Sequence, residues 1–248
     1  MIDRMRHVAR NLRGLGLGRR AIWTGARMVF VDVPVDAAAV APWVPFPLRL
    51  APPARASVFI ADYPETTFGS VYREAAVLLH VRMAGVPMVF CPWMVVDDDR
   101  ALILGRELLG YPKKMADIRF DEAQDRFVGT VTRRGTEVMR IEGAIGAPHT
   151  SPPPGIGRRA VNVRTLMSFL PGHLLTFRPI ETVHDCRHLA ATVRLQSSAE
   201  DPIGIATGGA TGATIRRCDI GAPLFPMPMR VFPISPAFQL SQIPIRVR

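Results

Sequence analysis

From Ala21 onward the chain is cut into short runs of strand-forming residues, each closed by proline, glycine or aspartate before a long helix could develop. Residues 27–33 form one such run and stop at Pro34; residues 56–63 and 71–81 form two more. Residues 88–96 and 101–104 read as strands joined by a polar turn at Asp97, Asp98 and Asp99, a solvated hairpin tip rather than a cation site. Further strands are expected at 116–120, 126–133, 136–145 and 181–192, with Arg134 and Gly135 as a tight turn. Residues 37–43 fit a short helix that Asp36 can cap and Pro45 and Pro47 end. Residues 151–155 read as a loop, 161–169 suit either element, and 204–214 are too glycine-rich to assign. Pro223, Pro226, Pro228, Pro233, Pro236 and Pro244 make the last stretch a tail that wraps a surface without continuing a sheet. Many short strands and few helices imply a mainly β (α+β) fold, an antiparallel sheet curved and closed into a barrel or cone.

Nothing in the composition marks a boundary, so residues 21–248 are expected to form a single domain behind a basic N-terminal arm, residues 1–20. That arm holds six arginines but lacks the apolar core of a secretory signal, and Gly14, Gly16 and Gly18 lack the spacing of a dinucleotide loop. With 48% apolar and 21% charged residues the chain is globular rather than disordered. Cys91, Cys186 and Cys218 are far apart, which suggests neither disulfides nor zinc and points to a reducing cytoplasm. The longest apolar run, residues 85–96, carries two prolines and is too short to span a bilayer. The net charge of +10 comes almost wholly from arginines dispersed through the strands, with no nucleic-acid motif. It is expected to draw small anionic substrates such as keto acids rather than nucleic acid or membrane.

The chemistry concentrates in Gly105-Arg106-Glu107-Leu108-Leu109-Gly110-Tyr111-Pro112-Lys113-Lys114-Met115-Ala116. Two adjacent lysines stand between apolar runs. An amine is nucleophilic near neutral pH only if its charged form is disfavoured, by an apolar pocket or a neighbouring cation. Bringing an ammonium from ~10.4 to about 7 takes roughly 4 to 5 kcal/mol, which partial exposure would not supply. Either Lys113 is buried, or it is an ordinary solvated lysine. On the strand 71–81, Tyr72, Glu74, Ala76, Leu78 and His80 share one face; a carboxylate among apolar side chains is either paired with a cation or functional.

This string resembles the Schiff-base motif of the acetoacetate decarboxylase family, in which the first lysine forms an imine with the substrate carbonyl. Gly69-Ser70-Val71-Tyr72-Arg73-Glu74 resembles the family segment that ends in an active-site carboxylate, and Ala26-Arg27-Met28-Val29-Phe30-Val31 the one that carries an active-site arginine. A weaker likeness runs through 162–171 and 182–192. The resemblance implies a β-barrel or cone that assembles into homo-oligomers and works without cofactor or metal. In that reading Lys113 is the nucleophile, Lys114 its cationic neighbour, and Glu74 orients Arg27 or shuttles protons. Arg27 holds the substrate carboxylate, with Tyr72, Phe59 and Met94 beside the substrate. In an extended segment Lys113 and Lys114 point to opposite faces, so desolvation is expected to act on Lys113 more than Lys114 does.

The implied reaction is decarboxylation of a β-keto acid: the iminium accepts the electron pair freed when the carboxylate leaves, and the enamine is then protonated and hydrolysed. One departure stands out. The family's decarboxylases carry a second glutamate on the preceding strand, and the matching position here is Phe59. That keeps open other imine and enamine chemistry, an aldolase-dehydratase or cyclase acting on a keto acid or larger apolar carbonyl compound. It also keeps open a barrel that binds a small molecule without catalysis.

Overall fold

Alternating apolar residues build one large sheet in the computed structural model, which describes residues 20–164, 172–223 and 229–247. In chain order its strands begin with β1 (Arg20–Pro34), β2 (Arg49–Leu50), β3 (Arg55–Tyr63), β4 (Glu65–Thr66), β5 (Tyr72–Met83) and β6 (Val86–Val96). They continue with β7 (Lys113–Met115), β8 (Asp117–Glu122), β9 (Arg126–Arg133), β10 (Thr136–Pro148) and β11 (Ala160–Arg164). The last are β12 (His173–Phe177), β13 (Ile180–Leu195), β14 (Gly212–Pro223) and β15 (Met229–Pro233). The helices are α1 (Ala37–Val40), α2 (Asp99–Leu109) and α3 (Pro236–Val247). Across the sheet the order is β15-β12-β11-β6-β5-β3-β1-β14-β13-β10-β9-β8, with β2 on β5, β4 on β1 and β7 on β6. Pairing is antiparallel except where β11 and β7 run parallel to β6.

The mainly β fold therefore stands, but hydrogen bonds do not close it. Among the described residues no ladder joins β8 to β15; β8 instead meets β5 and β1 through side chains, Arg73 Nη1 donating to Ile118 O at 3.5 Å and Arg27 lying 3.6 Å from Glu122. No helix is long and apolar enough to cross a membrane among the described residues.

Two expectations are corrected. Residues 101–104 are helix, not strand. Asp98 is an N-cap whose side chain accepts from Ala101 N at 2.8 Å, and Ala101, Gly105 and Leu109 are buried at helical spacing. The aspartates start α2 rather than turn a hairpin. The proline-rich tail also continues the sheet, because β15 pairs with β12 at the outer end, where a strand can lack donors on its free side. Residues 1–19 of the arm, residues 165–169 and Pro226 and Pro228 lie outside the described residues, while Arg20 already opens β1. Asp36 caps α1 as expected, accepting from Ala38 N at 2.9 Å.

The sheet carries a core on each face. Val29, Val31, Val58, Ile60, Val77 and Leu79 point to one side, where they meet Phe120, Phe127, Met139 and Ile141 of β8–β10. Met28, Phe30, Phe59, Ala61, Ala76, Leu78 and Met94 point to the other, which is richer in aromatic rings. A β-bulge between Trp23 and Ala26, with Gly25 at φ 62°, resets the alternation so that Trp23 joins Ala26 and Met28 on this second face.

Candidate active site

Lys113 and Glu74 meet on the aromatic face. β7 pairs with β6 so that Lys113 stands opposite Met94, and the row continues through Ala76, Phe59 and Phe30. Glu74 occupies the next row, opposite Ala61 and Val96. The Lys113 amine is 2.6 Å from Glu74 Oε2, and both residues are about 5% exposed. This contact is an ion pair without the alignment of a hydrogen bond. The amine also sits 5.3 Å from the ring centre of Tyr72 and 6.0 Å from that of Tyr111, within cation–π range.

The helix end holds this lysine in position. Gly110 takes a left-handed conformation, φ 69°, that turns the chain out of α2 and back towards the sheet; its amide and that of Tyr111 close onto Arg106 and Gly105 carbonyls. Arg106 Nη1 donates to Lys113 O at 3.1 Å, and Asn162 Nδ2 donates to Leu109 O at 2.9 Å. The lysine side chain crosses α2 at Gly105. A Cβ there would fall 2.5 Å from Lys113 Cε, 2.6 Å from Cδ and 2.9 Å from Nζ. Only glycine leaves room for the chain of methylenes.

Around the amine lies a cavity of about 60 Å³ walled by Trp23, Tyr63, Phe68, Tyr72, Tyr111 and Phe177, with Leu104, Leu108 and Ile220 among its aliphatic lining. Lys113 and Glu74 are the only charged side chains lining it among the described residues. That space corresponds to about four to six water positions, the scale of a small carbonyl compound. Burial pushes the phenols of Tyr63, Tyr72 and Tyr111 up, so all three stay neutral O–H donors. Tyr72 accepts from Trp23 Nε1 at 2.8 Å, which leaves its own proton to give.

The other expected residues are distributed as follows. Lys114 points to the opposite face from Lys113, bonded to the buried Asp201, which also accepts from Trp93 Nε1 at 2.8 Å and forms an ion pair with Arg133 Nε at 2.8 Å. Burial, offset by Asp201, holds the Lys114 ammonium below its ordinary range. Arg27 is not brought to Lys113. It points to the larger core, over Phe120 at 5.2 Å, paired with Asp62 at 2.7 Å and Glu122. Tyr72 lines the cavity. Phe59 and Met94 are fully buried in the row that ends at Lys113 and pack behind the cavity rather than line it; Phe59 lies 5.3 Å from Phe30. Sequence reasoning missed Trp23, Tyr63, Phe177, Gly105 and Asn162. Trp23 was hidden by the bulge, and only the glycine-before-lysine spacing hinted at Gly105.

A family model described as acetoacetate decarboxylase matches residues 16–212. The acetoacetate decarboxylase of Ralstonia nicotianae is 34% identical over 96 residues, 39% of this chain and 38% of that protein, so the match spans about two-fifths of the relative's length. The crystal structure of acetoacetate decarboxylase from Legionella pneumophila superposes with a TM-score of 0.76 over 86% of this chain and 87% of that one, at 15% identity. The enduracididine biosynthesis enzyme MppR, complexed with pyruvate, superposes with a TM-score of 0.68 over 82% of this chain and 86% of that one, at 17% identity. At such identities the structural likeness speaks for the fold alone.

Proposed function

The chain belongs to the acetoacetate decarboxylase family, and on that premise we propose that it is a carbon–carbon lyase that decarboxylates a β-keto acid through an imine at Lys113. The observation that carries the proposal is the buried amine 2.6 Å from a buried carboxylate inside an aromatic cavity. The Lys113 ammonium hands a proton to Glu74 Oε2, and the neutral amine attacks the ketone carbonyl. Glu74 then returns that proton to the carbinolamine hydroxyl, which departs as water and leaves an iminium. The electron pair of the bond to the carboxylate moves into the iminium, carbon dioxide leaves, and an enamine remains. The one proton that the reaction consumes arrives from solvent by way of Glu74 at the enamine carbon. Water then hydrolyses the imine and frees the amine.

The walls suit this sequence of charges. A carboxylate that becomes neutral carbon dioxide loses its need for solvation at the transition state, and aromatic surroundings favour the neutral side of that change. The neutral phenols of Tyr63, Tyr72 and Tyr111 are the donors available to the substrate. A second reading draws on the same lining: with Arg27 paired elsewhere and Phe59 where a glutamate was expected, Lys113 and Glu74 are the only charged side chains lining the cavity among the described residues. That favours a substrate whose remaining body is uncharged and leaves room for other enamine chemistry on an apolar carbonyl compound.

The test is borohydride reduction in the presence of acetoacetate, pyruvate or a larger β-keto acid, followed by peptide mass spectrometry. The expected result is a reduced adduct on the peptide that contains Lys113, lost in Lys113→Ala, with a mass that reports whether carbon dioxide has left. Folded protein that gains no adduct from any of them would overturn the proposal in favour of a non-catalytic binding role.

A further inference from the structure

Behind the lysine cavity lies a second recess of about 10 Å³, lined by Leu78, Val89, Cys91, Ala160 and Asn162 and shared with the first through Tyr111 and Ile156. Its size is that of about one water molecule. Its side-chain polarity comes from Tyr111 and from Asn162, and the second is in an unusual state. Asn162 is fully buried on β11; its Nδ2 donates to Leu109 O, while its Oδ1 has no hydrogen-bond partner. A buried acceptor left unpaired is costly, and such atoms in native proteins mark a ligand, a water or a function. Beside it stands Tyr111, whose phenol burial keeps neutral and whose hydroxyl is in hydrogen-bonding contact with the Asn162 side chain.

We propose that this recess, between Asn162 Oδ1 and the Tyr111 hydroxyl, is a one-water station in exchange with solvent: the water expelled as Lys113 forms its imine leaves through it, and a solvent water taken up there hydrolyses the imine. This inference rests on the imine reading above. Each turnover must release one water as the carbinolamine collapses to the iminium and add one back to the iminium carbon, with the carbonyl oxygen of the product ketone coming from that second water. The main cavity has little to hold it: its walls are mostly apolar, and Glu74 and Lys113 are engaged with each other and with the substrate. The Asn162 carbonyl accepts one water hydrogen and the Tyr111 hydroxyl bonds the water oxygen, so the water remains one side chain away from the reacting carbon. Asn162 is thereby a positioning residue, and its Nδ2 bond to the last carbonyl of α2 fixes the same amide that orients the water.

The experiment is exchange of ¹⁸O from labelled water into the carbonyl of acetone, run beside borohydride trapping at Lys113. Ala160→Val fills the recess from β11 without touching the Asn162 bond to Leu109. Asn162→Leu removes the acceptor, and Asn162→Asp keeps an acceptor and, when protonated, a donor for Leu109 O. In folded Ala160→Val the extent of trapping should persist while exchange slows by about tenfold, the size of one lost hydrogen bond expressed as a rate, and Asn162→Leu, which also loses the bond to Leu109 O, should slow exchange at least as much. Asn162→Asp should recover part of the exchange. Unchanged exchange in the folded Ala160→Val and Asn162→Leu proteins would overturn the water site while leaving the imine reading intact. A wild-type protein that neither traps nor exchanges would overturn both.

Discussion

Replacing Gly105 by alanine separates the reactivity of Lys113 from the stability of the fold. The added methyl carbon would lie 2.5 Å from Lys113 Cε, whereas carbon atoms pack at about 3.5 Å, so something must move by about 1 Å. The backbone of β7 is held by Arg106 and by its ladder to β6, and the three nearest atoms all belong to the far end of the lysine side chain. The lysine is therefore what yields, and its amine leaves the 2.6 Å contact with Glu74. A displacement of about 1 Å at a reacting group costs on the order of 100-fold in rate. Stability follows a different balance. Alanine in a helix interior gains up to ~1 kcal/mol over glycine, against about 1 to 3 kcal/mol for overpacking that a flexible side chain can largely relieve. Gly105→Ala should melt close to wild type while imine formation, followed as the rate of borohydride-trapped adduct at Lys113, falls about 100-fold. Trapping at the wild-type rate would refute the reasoning, since the lysine would then be reacting from somewhere other than its position across Gly105. Loss of folding would refute it too, because it would mean that the lysine cannot give way.

Lys114→Ala should leave imine trapping at Lys113 intact at neutral pH, because its amine faces Asp201 on the other side of β7; the protein should lose roughly 1 to 3 kcal/mol in denaturant unfolding, Arg133 and Trp93 still satisfying the buried carboxylate. A strong loss of trapping in folded Lys114→Ala would restore an electrostatic role for the second lysine. His80 should make the protein acid-sensitive: burial first, then Arg158 and Arg55, lower it from 6.5 to about 4, with Asp32 opposing. Between those values the unfolded chain binds a proton that the native protein does not, so stability falls as pH drops from 6.5 to 4, by about 3 kcal/mol in all. In His80→Gln that part of the slope should vanish, and an unaltered pH profile of unfolding would count against it.

The central strands were legible because alternation survives along β1, β3 and β5 wherever one face meets each core. The lysine and Glu74 were legible as a motif and as a carboxylate on an apolar face. Helix α2 was not, because four apolar residues after three aspartates suit a strand after a turn as well as a capped helix. What decided it was burial of Ala101, Gly105 and Leu109 against the sheet, a tertiary fact. The direction of Arg27 could not be read either. Strict period two puts Trp23 and Arg27 on one face, and the bulge at Gly25 separates them, sending the ring to the lysine cavity and the guanidinium to Asp62. Nor does local pattern reveal Asn162, whose role depends on the helix end that it meets from a strand far along the chain.

The place of β1 in the sheet sets a problem of timing. One edge of β1 pairs with β3 soon after both are made, but the other waits for β14, and Arg27 pairs with Arg217, 190 residues later. At about 5 to 20 residues per second, a ribosome takes roughly 10 to 40 s to supply that partner. Throughout this interval the nascent chain carries a long strand that includes Val29, Phe30, Val31 and Val33 with one edge unpaired, open to pairing with a neighbouring chain. Long-range pairings of this kind also slow folding, so yield during synthesis depends on how well that edge is shielded until β14 emerges.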